Sequence, residues 1–294
     1  MGFVRCDMAR LLRSLLFVPS NNKKFIDKAK VLNADIICLD LEDSVPLADK
    51  ASARQMIVEA LNTRSEFKAE VYVRVNSYAS GMLQEDLKAA MQKGVNGIVI
   101  PKVSDATEVS AISKLMDELE RRHKIDKDSV EMMPSIESAR GVVNAYHIAS
   151  ESPRTSALVF GVFDFLFDMG LDYTENGIEY GYARAKVPVD ARAAGVYAID
   201  SIWQKIDDSE GLIRDATEGT RLGYKGKSII HPSQIEPVHK IFVPNKEEVE
   251  WAKKVVNALG EAMSKGKGAI RLEGKMIDAV HYKRAKALLE AVSG

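Results

Sequence analysis

The chain has 294 residues, 46% of them hydrophobic, enough to bury one large core, and α/β barrels of about 250 residues commonly form a single domain. Its 41 Lys and Arg against 42 Asp and Glu leave a net charge of −1, which excludes the broad basic field that nucleic-acid binding leans on and points to small molecules and copies of itself as partners. Cys6 and Cys38 are the only cysteines, too few for a disulfide framework or a cysteine zinc site, and they fit a reducing, cytoplasmic setting. The apolar runs fall far short of the roughly 20 residues of a membrane span, and the segment holding Arg5, Arg10 and Arg13 lacks the apolar core of a secretion signal, so no membrane association is expected.

Short apolar runs rich in β-branched residues predict strands over 14–19, 35–41, 71–75, 97–101, 131–136, 157–161, 196–200 and 228–231. Cys38 falls inside one of them as a small core residue. Stretches of helical period lie between the strands. The clearest carries Val109, Ile112, Leu115, Met116 and Leu119 behind Asp105 and Glu108, a helix-start signature. Successive strand ends fall about 30 residues apart, the size of one strand-plus-helix unit. Eight such units, with no Gly-rich phosphate turn after the first strand, favour a closed (β/α)8 TIM barrel over an open doubly wound sheet. The expected barrel domain covers 10–244. Past Pro244, a C-terminal helical extension over 245–294 begins with a long helix bearing Val249, Ala252, Val256 and Leu259 on one face. A Gly-Lys stretch over 264–268, a hairpin through Glu273-Gly274 and a last helix from Asp278 follow.

In such barrels chemistry sits at strand C-terminal ends, where this sequence gathers Asp40, Glu42, Asp43, Arg74, Lys102, Glu137, Asp164, Asp200 and His231. Glu137 and Asp164 close two neighbouring strands, and a charge there needs a partner; Mg²⁺ is commonly held by one or two carboxylates with water and substrate completing its shell. Each acid also has a simpler reading, at the start of the helix that follows it. Arg74 suits bidentate capture of a substrate carboxylate or enolate oxygen, or else an ion pair with Glu42 or Asp43. Asp40 and Glu42 share one face of their strand, where they would bond metal-bound waters and orient Arg74 or Lys102. Lys102 suits a phosphate or carboxylate of the substrate, or a solvated salt bridge. The histidines offer no H-E-x-x-H spacing. Gly226-Lys227-Ser228 is not a P-loop, because Arg221 stands where the loop's first glycine belongs.

Taken together, Arg13-Ser14-Leu15-Leu16-Phe17-Val18-Pro19, Asp40-Leu41-Glu42-Asp43-Ser44, Val73-Arg74-Val75-Asn76, Ile100-Pro101-Lys102, Ile136-Glu137-Ser138, Gly161-x-x-Asp164, Gly226-Lys227-Ser228-Ile229-Ile230-His231-Pro232 and Gly274-Lys275-Met276-Ile277-Asp278 resemble the citrate lyase β-subunit-like family. That family groups HpcH/HpaI aldolases with malyl-CoA and citramalyl-CoA lyases. The resemblance runs from about Arg13 to the C-terminus and implies a (β/α)8 barrel that cleaves or forms a carbon–carbon bond in a 3-hydroxyacyl thioester. It further implies Mg²⁺, with Mn²⁺ an alternative ion, at Glu137 and Asp164, and Arg74 as the substrate arginine. Asp278 matches an aspartate that reaches into a neighbouring subunit's site and exchanges the acetyl-group proton, which implies a homotrimer or homohexamer. Two departures stand out: Phe163 where many relatives carry an acid, and Ala279-Val280 where Gly-Pro or Ala-Pro is commoner.

The implied substrate is an acyl-CoA such as malyl-CoA or citramalyl-CoA, giving acetyl-CoA and a 2-oxo acid, or the reverse. Arg74 would stabilise the oxygen on which charge grows, Asp278 would handle the proton on carbon, and a Gly-Lys hinge over 265–268 would let the large coenzyme enter. Arg13, Lys23, Lys24 and Lys275 are candidates to meet CoA phosphates. The alternatives are a citrate lyase β subunit working with other subunits on an acyl carrier protein, a thioesterase or malate-synthase-like outcome, and a non-catalytic barrel scaffold.

Overall fold

The computed structural model describes residues 11–243, 246–264 and 266–293. Arg5, Cys6, Arg10, Pro244 and Lys265 lie outside the described residues, and with them part of the expected hinge. Leu12–Phe242 form one compact unit, and the described residues from Val243 onward belong to a second.

Eight parallel strands close the first unit into a barrel in sequence order: β1 (Ser14–Pro19), β2 (Ile36–Asp40), β3 (Glu70–Arg74), β4 (Gly97–Ile100), β5 (Glu131–Ile136), β6 (Ala157–Phe160), β7 (Tyr197–Asp200) and β8 (Gly226–Ile229). Nine helices of this unit lie between and after the strands: α1 (Lys23–Ala29), α2 (Lys50–Asn62), α3 (Leu83–Ala90), α4 (Ala106–His123), α5 (Ala139–Ser150), α6 (Val162–Met169), α7 (Gly181–Ala194), α8 (Ser209–Leu222) and α9 (Ile235–Ile241). The expected TIM barrel is therefore the fold observed, and the open sheet is excluded by the β1–β8 pairing, Leu15 opposite Ser228.

Two cores follow from the period of two along each strand. Leu15, Ile36, Cys38, Tyr72, Val99, Met133, Ala157, Val159 and Ile199 fill the barrel interior, while the alternate residues, among them Leu16, Ile37, Leu39, Val71, Val73, Ile98 and Leu158, pack under the helices. Phase along a strand thus decides which way a strand-end side chain points. Asp40 keeps step with Ile36 and Cys38, and Arg74 with Tyr72, so both face inward at the C-terminal mouth. Helix α4 starts as its sequence demands: Asp105 accepts from the Thr107 and Glu108 amides, and Glu108 Oε1 accepts from Ser104 N at 3.2 Å.

One strand is displaced from expectation. β8 covers Gly226–Ile229 rather than 228–231, because the Ile230 amide turns to Gln234 Oε1 at 2.9 Å and His231 caps the short turn that follows. Gly226 belongs in the strand because the chain leading into β1 approaches so closely there that a Cβ would lie 1.7 Å from the Leu12 carbonyl oxygen. Lys227, a poor strand signal, is fully buried by partners described below.

The second unit contains α10 (Lys246–Ser264), a hairpin of β9 (Ala269–Leu272) and β10 (Lys275–Asp278), and α11 (Ala279–Ser293). Ala252, Val255, Leu259, Ala262, Ile277 and Ala285 form its own small core. No helix among the described residues is long and apolar enough to cross a membrane.

The close approach at Gly226 sets a test. Gly226→Ala meets backbone, which cannot swing aside, so a loss of about 3 kcal/mol is expected in urea unfolding. Gly181→Ala, at the start of α7 with no atom within 4 Å of the added carbon, is expected to leave the midpoint nearly unchanged.

Candidate active site

Strand register brings the first pair together. Asp40 stands opposite Arg74 across β2 and β3, and the guanidinium grips it bidentately, Nε to Oδ1 and Nη2 to Oδ2, both at 2.7 Å. Asp40 is fully buried and also accepts from the Glu42 amide at 2.8 Å and the Ser44 hydroxyl at 2.5 Å. Burial alone would raise its carboxyl, but the Arg74 charge and these donors together hold it below the usual carboxylate range. Burial likewise works against the Arg74 charge, and Asp40, with Glu42 and Glu137 behind it, outweighs that cost and keeps the guanidinium protonated. The Arg74 guanidinium lies over the Phe17 ring, 4.3 Å from its centroid.

Lys102 is the second cation. It follows Pro101 with φ at 57°, a left-handed conformation that costs a non-glycine residue about 1–3 kcal/mol and concentrates at functional sites. That turn aims its amide at Glu137 Oε2, 3.2 Å away, while its ammonium reaches Glu42 Oε1 at 2.8 Å, Asp164 Oδ1 at 3.3 Å and Asp43 Oδ1 at 3.4 Å. Burial opposes the Lys102 charge, and Glu42, Asp164 and Asp43 overcome it, so its pKa is raised. Glu42 is nearly buried; its Oε2 lies 3.2 Å from Arg74 Nη1 without the alignment of a hydrogen bond. Burial pushes the Glu42 carboxyl up despite Arg74 and Lys102.

Glu137 and Asp164 reach the same mouth from β5 and α6. Ser138, not Glu137, caps α5, accepting from the Gly141 amide at 3.0 Å, so Glu137 stands one residue ahead of the cap. Its side chain lies against Gly161, where a Cβ would sit 2.5 Å from Glu137 Cγ and 2.9 Å from Oε1. A bare backbone there is the reason for the glycine of Gly161-x-x-Asp164. Asp164 lies in the first turn of α6, with its side chain 39% exposed, so it keeps access to solvent. Burial, then repulsion from Glu42 and Asp164, pushes the Glu137 carboxyl up to about 8. A hard divalent cation beside Glu137 and Asp164 would remove that penalty, and an oxygen donor set is the chemistry such an ion takes. No three His, Cys, Asp or Glu side chains converge on an ion among the described residues, so a cation held here would draw its remaining ligands from water and substrate.

Four expectations need correction or relocation. Arg13 stands at the N-terminal end of β1, the opposite end of the barrel, bound to Asp35 through Nε at 2.9 Å and Nη2 at 2.7 Å. It is a structural ion pair far from the mouth, because substrate groups gather where strands finish, not where they start. Asp200 is out of phase with inward-facing Ile199 and points under the helices to Arg184 and Lys227. His231 is exposed and accepts from the Ser233 amide through Nδ1 at 3.2 Å. Asp278 belongs to the second unit, where its Oδ1 accepts from the Val280 amide at 3.0 Å and the His281 amide at 3.3 Å and lies 2.7 Å from His281 Nδ1. The His281 hydrogen bond, then these amides, hold its carboxyl below the usual range.

Sequence position gave no sign of Lys50. From α2 its buried ammonium donates to the Leu41 and Glu42 carbonyls at 2.5 and 2.8 Å and to Asn76 Oδ1 at 2.9 Å. It ties down the backbone that carries Glu42 and the Asn76 of the Val73-Arg74-Val75-Asn76 motif.

The HpcH/HpaI aldolase/citrate lyase profile matches residues 13–232. The chain belongs to this family. A second profile, the carbon–carbon bond lyases of the TIM-barrel fold, matches residues 182–292. Family relatives include a citrate lyase subunit beta of Leuconostoc mesenteroides subsp. cremoris, 37% identical over 96% of this chain and 93% of the relative. The mitochondrial citramalyl-CoA lyase of Homo sapiens is 34% identical over 93% of this chain and 83% of the relative. Among solved family structures, CitE of Mycobacterium tuberculosis, in complex with magnesium, acetoacetate and coenzyme A, is 27% identical, with a TM-score of 0.79 over 98% of this chain and 100% of that one. Members of this carbon–carbon lyase family thus carry more than one activity on one barrel.

The raised Glu137 carboxyl has a thermodynamic signature. Its folded pKa, about 8, lies above the unfolded value of about 4.3, so the stability it contributes is whole below that unfolded value and is lost as pH rises through about 8. In EDTA, denaturation midpoints of the wild type are expected to fall relative to Glu137→Gln between pH 4 and 8. Parallel curves would contradict the assignment.

Proposed function

We propose that this protein is a Mg²⁺-dependent carbon–carbon lyase that cleaves a 3-hydroxyacyl-CoA such as malyl-CoA or citramalyl-CoA into acetyl-CoA and a 2-oxo acid, or runs the reverse condensation. The observation that carries the reading is the meeting of Glu137 and Asp164 with Arg74 and Lys102 at one barrel mouth. The magnesium, acetoacetate and coenzyme A of the mycobacterial CitE complex support it.

Glu137 and Asp164 are the residues that would hold the ion, which when bound supplies a Lewis acid worth several kcal/mol at a chelated oxo group. Arg74 is pre-set by Asp40 and needs no reorganisation to stabilise the same oxygen as negative charge develops. Lys102 holds Glu42 and Asp164 on one ammonium and offsets their mutual repulsion. In cleavage the hydroxyl gives up its proton and becomes the carbonyl of the 2-oxo acid as the bond between its carbon and the acyl α-carbon breaks. The electron pair of that bond passes into the thioester enolate, and a proton must reach the enolate carbon, so that overall one proton moves from oxygen to carbon. Asp278 is the proposed carrier of that proton. Held as a carboxylate by His281 and two amides, it is ready to take the proton from the acetyl methyl in condensation and to return it in cleavage. The same reading has the enzyme working in the cytoplasm as a homotrimer or homohexamer.

A second reading is a citrate lyase β subunit, favoured by the 37% identity to the Leuconostoc protein; its thioester would ride on an acyl carrier protein beside other citrate lyase subunits. A panel of 3-hydroxyacyl-CoA esters, assayed with Mg²⁺ or EDTA for acetyl-CoA and 2-oxo acid, separates the outcomes. Equimolar products only with Mg²⁺ support the lyase. Turnover confined to carrier-bound citryl thioester supports the second reading, and free CoA with intact hydroxy acid indicates a thioesterase. In the lyase case Arg74→Lys is expected to lower kcat by about 10²–10³-fold, the loss typical of an oxyanion donor. Asp278→Asn should lose about 10²–10⁴-fold with substrate binding retained; an unchanged rate removes Asp278 from the mechanism.

A further inference from the structure

We propose that Ser201 is a positioning residue for the cation site, acting on Asp164 through the first amide of α6; the inference rests on the reading of Glu137 and Asp164 as cation ligands. Helix α6 begins without a cap of its own. Its N-cap is Gly161, with no side chain to offer, and a serine or aspartate cannot replace it because Glu137 fills the space where a Cβ would go. The missing oxygen comes from the residue just past the next strand: the buried Val162 amide donates to Ser201 Oγ at 3.1 Å. Two residues further along α6 stands Asp164. The demand of Glu137 for a bare backbone is thus met by a hydroxyl supplied from the loop that follows β7.

The second observation is what holds Ser201. Lys227, with no solvent exposure, donates to the Ser201 carbonyl at 2.6 Å. Its ammonium is shared with Asp215 and with Asp200, 3.4 Å away. Arg184 binds the same Asp200 through Nε at 3.1 Å and Nη2 at 2.5 Å, and Asp215 through Nη1 at 2.9 Å. A buried cluster of two cations and two carboxylates under α7 and α8 therefore fixes the end of β7. Ser201 passes that rigidity to the turn that presents Asp164. Outer groups that orient ligands in this way typically change metal affinity about 10–100-fold when removed.

The test measures Mg²⁺ affinity by isothermal titration calorimetry on the protein without substrate, with unfolding midpoints taken in EDTA. Ser201→Ala is expected to weaken Mg²⁺ about 10-fold with little change in midpoint, and to speed hydrogen exchange at the start of α6. Ser201→Thr, which keeps the hydroxyl, is expected to restore both. Ser201→Cys, similar in size but a weak acceptor, should fall between and serves if the alanine variant does not fold. Asp164→Asn is the control. If it weakens Mg²⁺ while Ser201→Ala binds as the wild type does, or if threonine fails to rescue, the positioning role is overturned and the cation site stands. If Asp164→Asn leaves Mg²⁺ affinity unchanged, the cation site itself falls, and the positioning role with it.

Discussion

Like charges crowded at one end of a barrel are the constraint around which this structure is arranged. Asp40, Glu42, Glu137 and Asp164 gather where β2, β5 and β6 finish, and Arg74 and Lys102 reach in among them. The two cations divide the work. Arg74 commits two of its donors to fully buried Asp40 and becomes a fixed positive plate. Lys102 bridges three acids from two segments on one ammonium, at the cost of a left-handed backbone. Among the described residues no cation grips Glu137 directly, and burial and repulsion push its carboxyl up. A carboxylate so placed binds a proton or a metal readily, and that sensitivity is what the proposed chemistry needs.

Most of the barrel was legible because strand burial leaves a mark in sequence. β1 and β5 occupy 14–19 and 131–136 as expected, and the hairpin around Glu273-Gly274 forms where the turn residues stand. The strand that slipped, β8, did so because its first two residues, Gly226 and Lys227, are poor strand signals. Their reasons for being there, a neighbouring carbonyl just ahead of β1 and buried carboxylates on β7 and α8, come from residues distant in the chain. Periodicity cannot see a partner that tertiary structure supplies.

The site was legible to the extent that position at a strand end implies a place at the mouth. Asp40, Arg74, Lys102 and Glu137 meet that rule. Arg13 and Asp200 were misread for two different reasons, one sitting at the wrong end of its strand and the other facing the wrong side of it. The phase of Tyr197 and Ile199 already carried the second answer. Lys50 and Ser201 left no comparable mark, since a lysine on a helix and a serine in a loop acquire their roles only when the chain folds back upon them.

The aromatic ring beneath Arg74 has a geometric consequence. With Phe17 against one face of the guanidinium, Asp40 along one edge and Glu42 Oε2 3.2 Å from Nη1, the plane of the cation is set before any ligand arrives, so on the proposed reaction a flat oxo acid would meet a donor of fixed tilt.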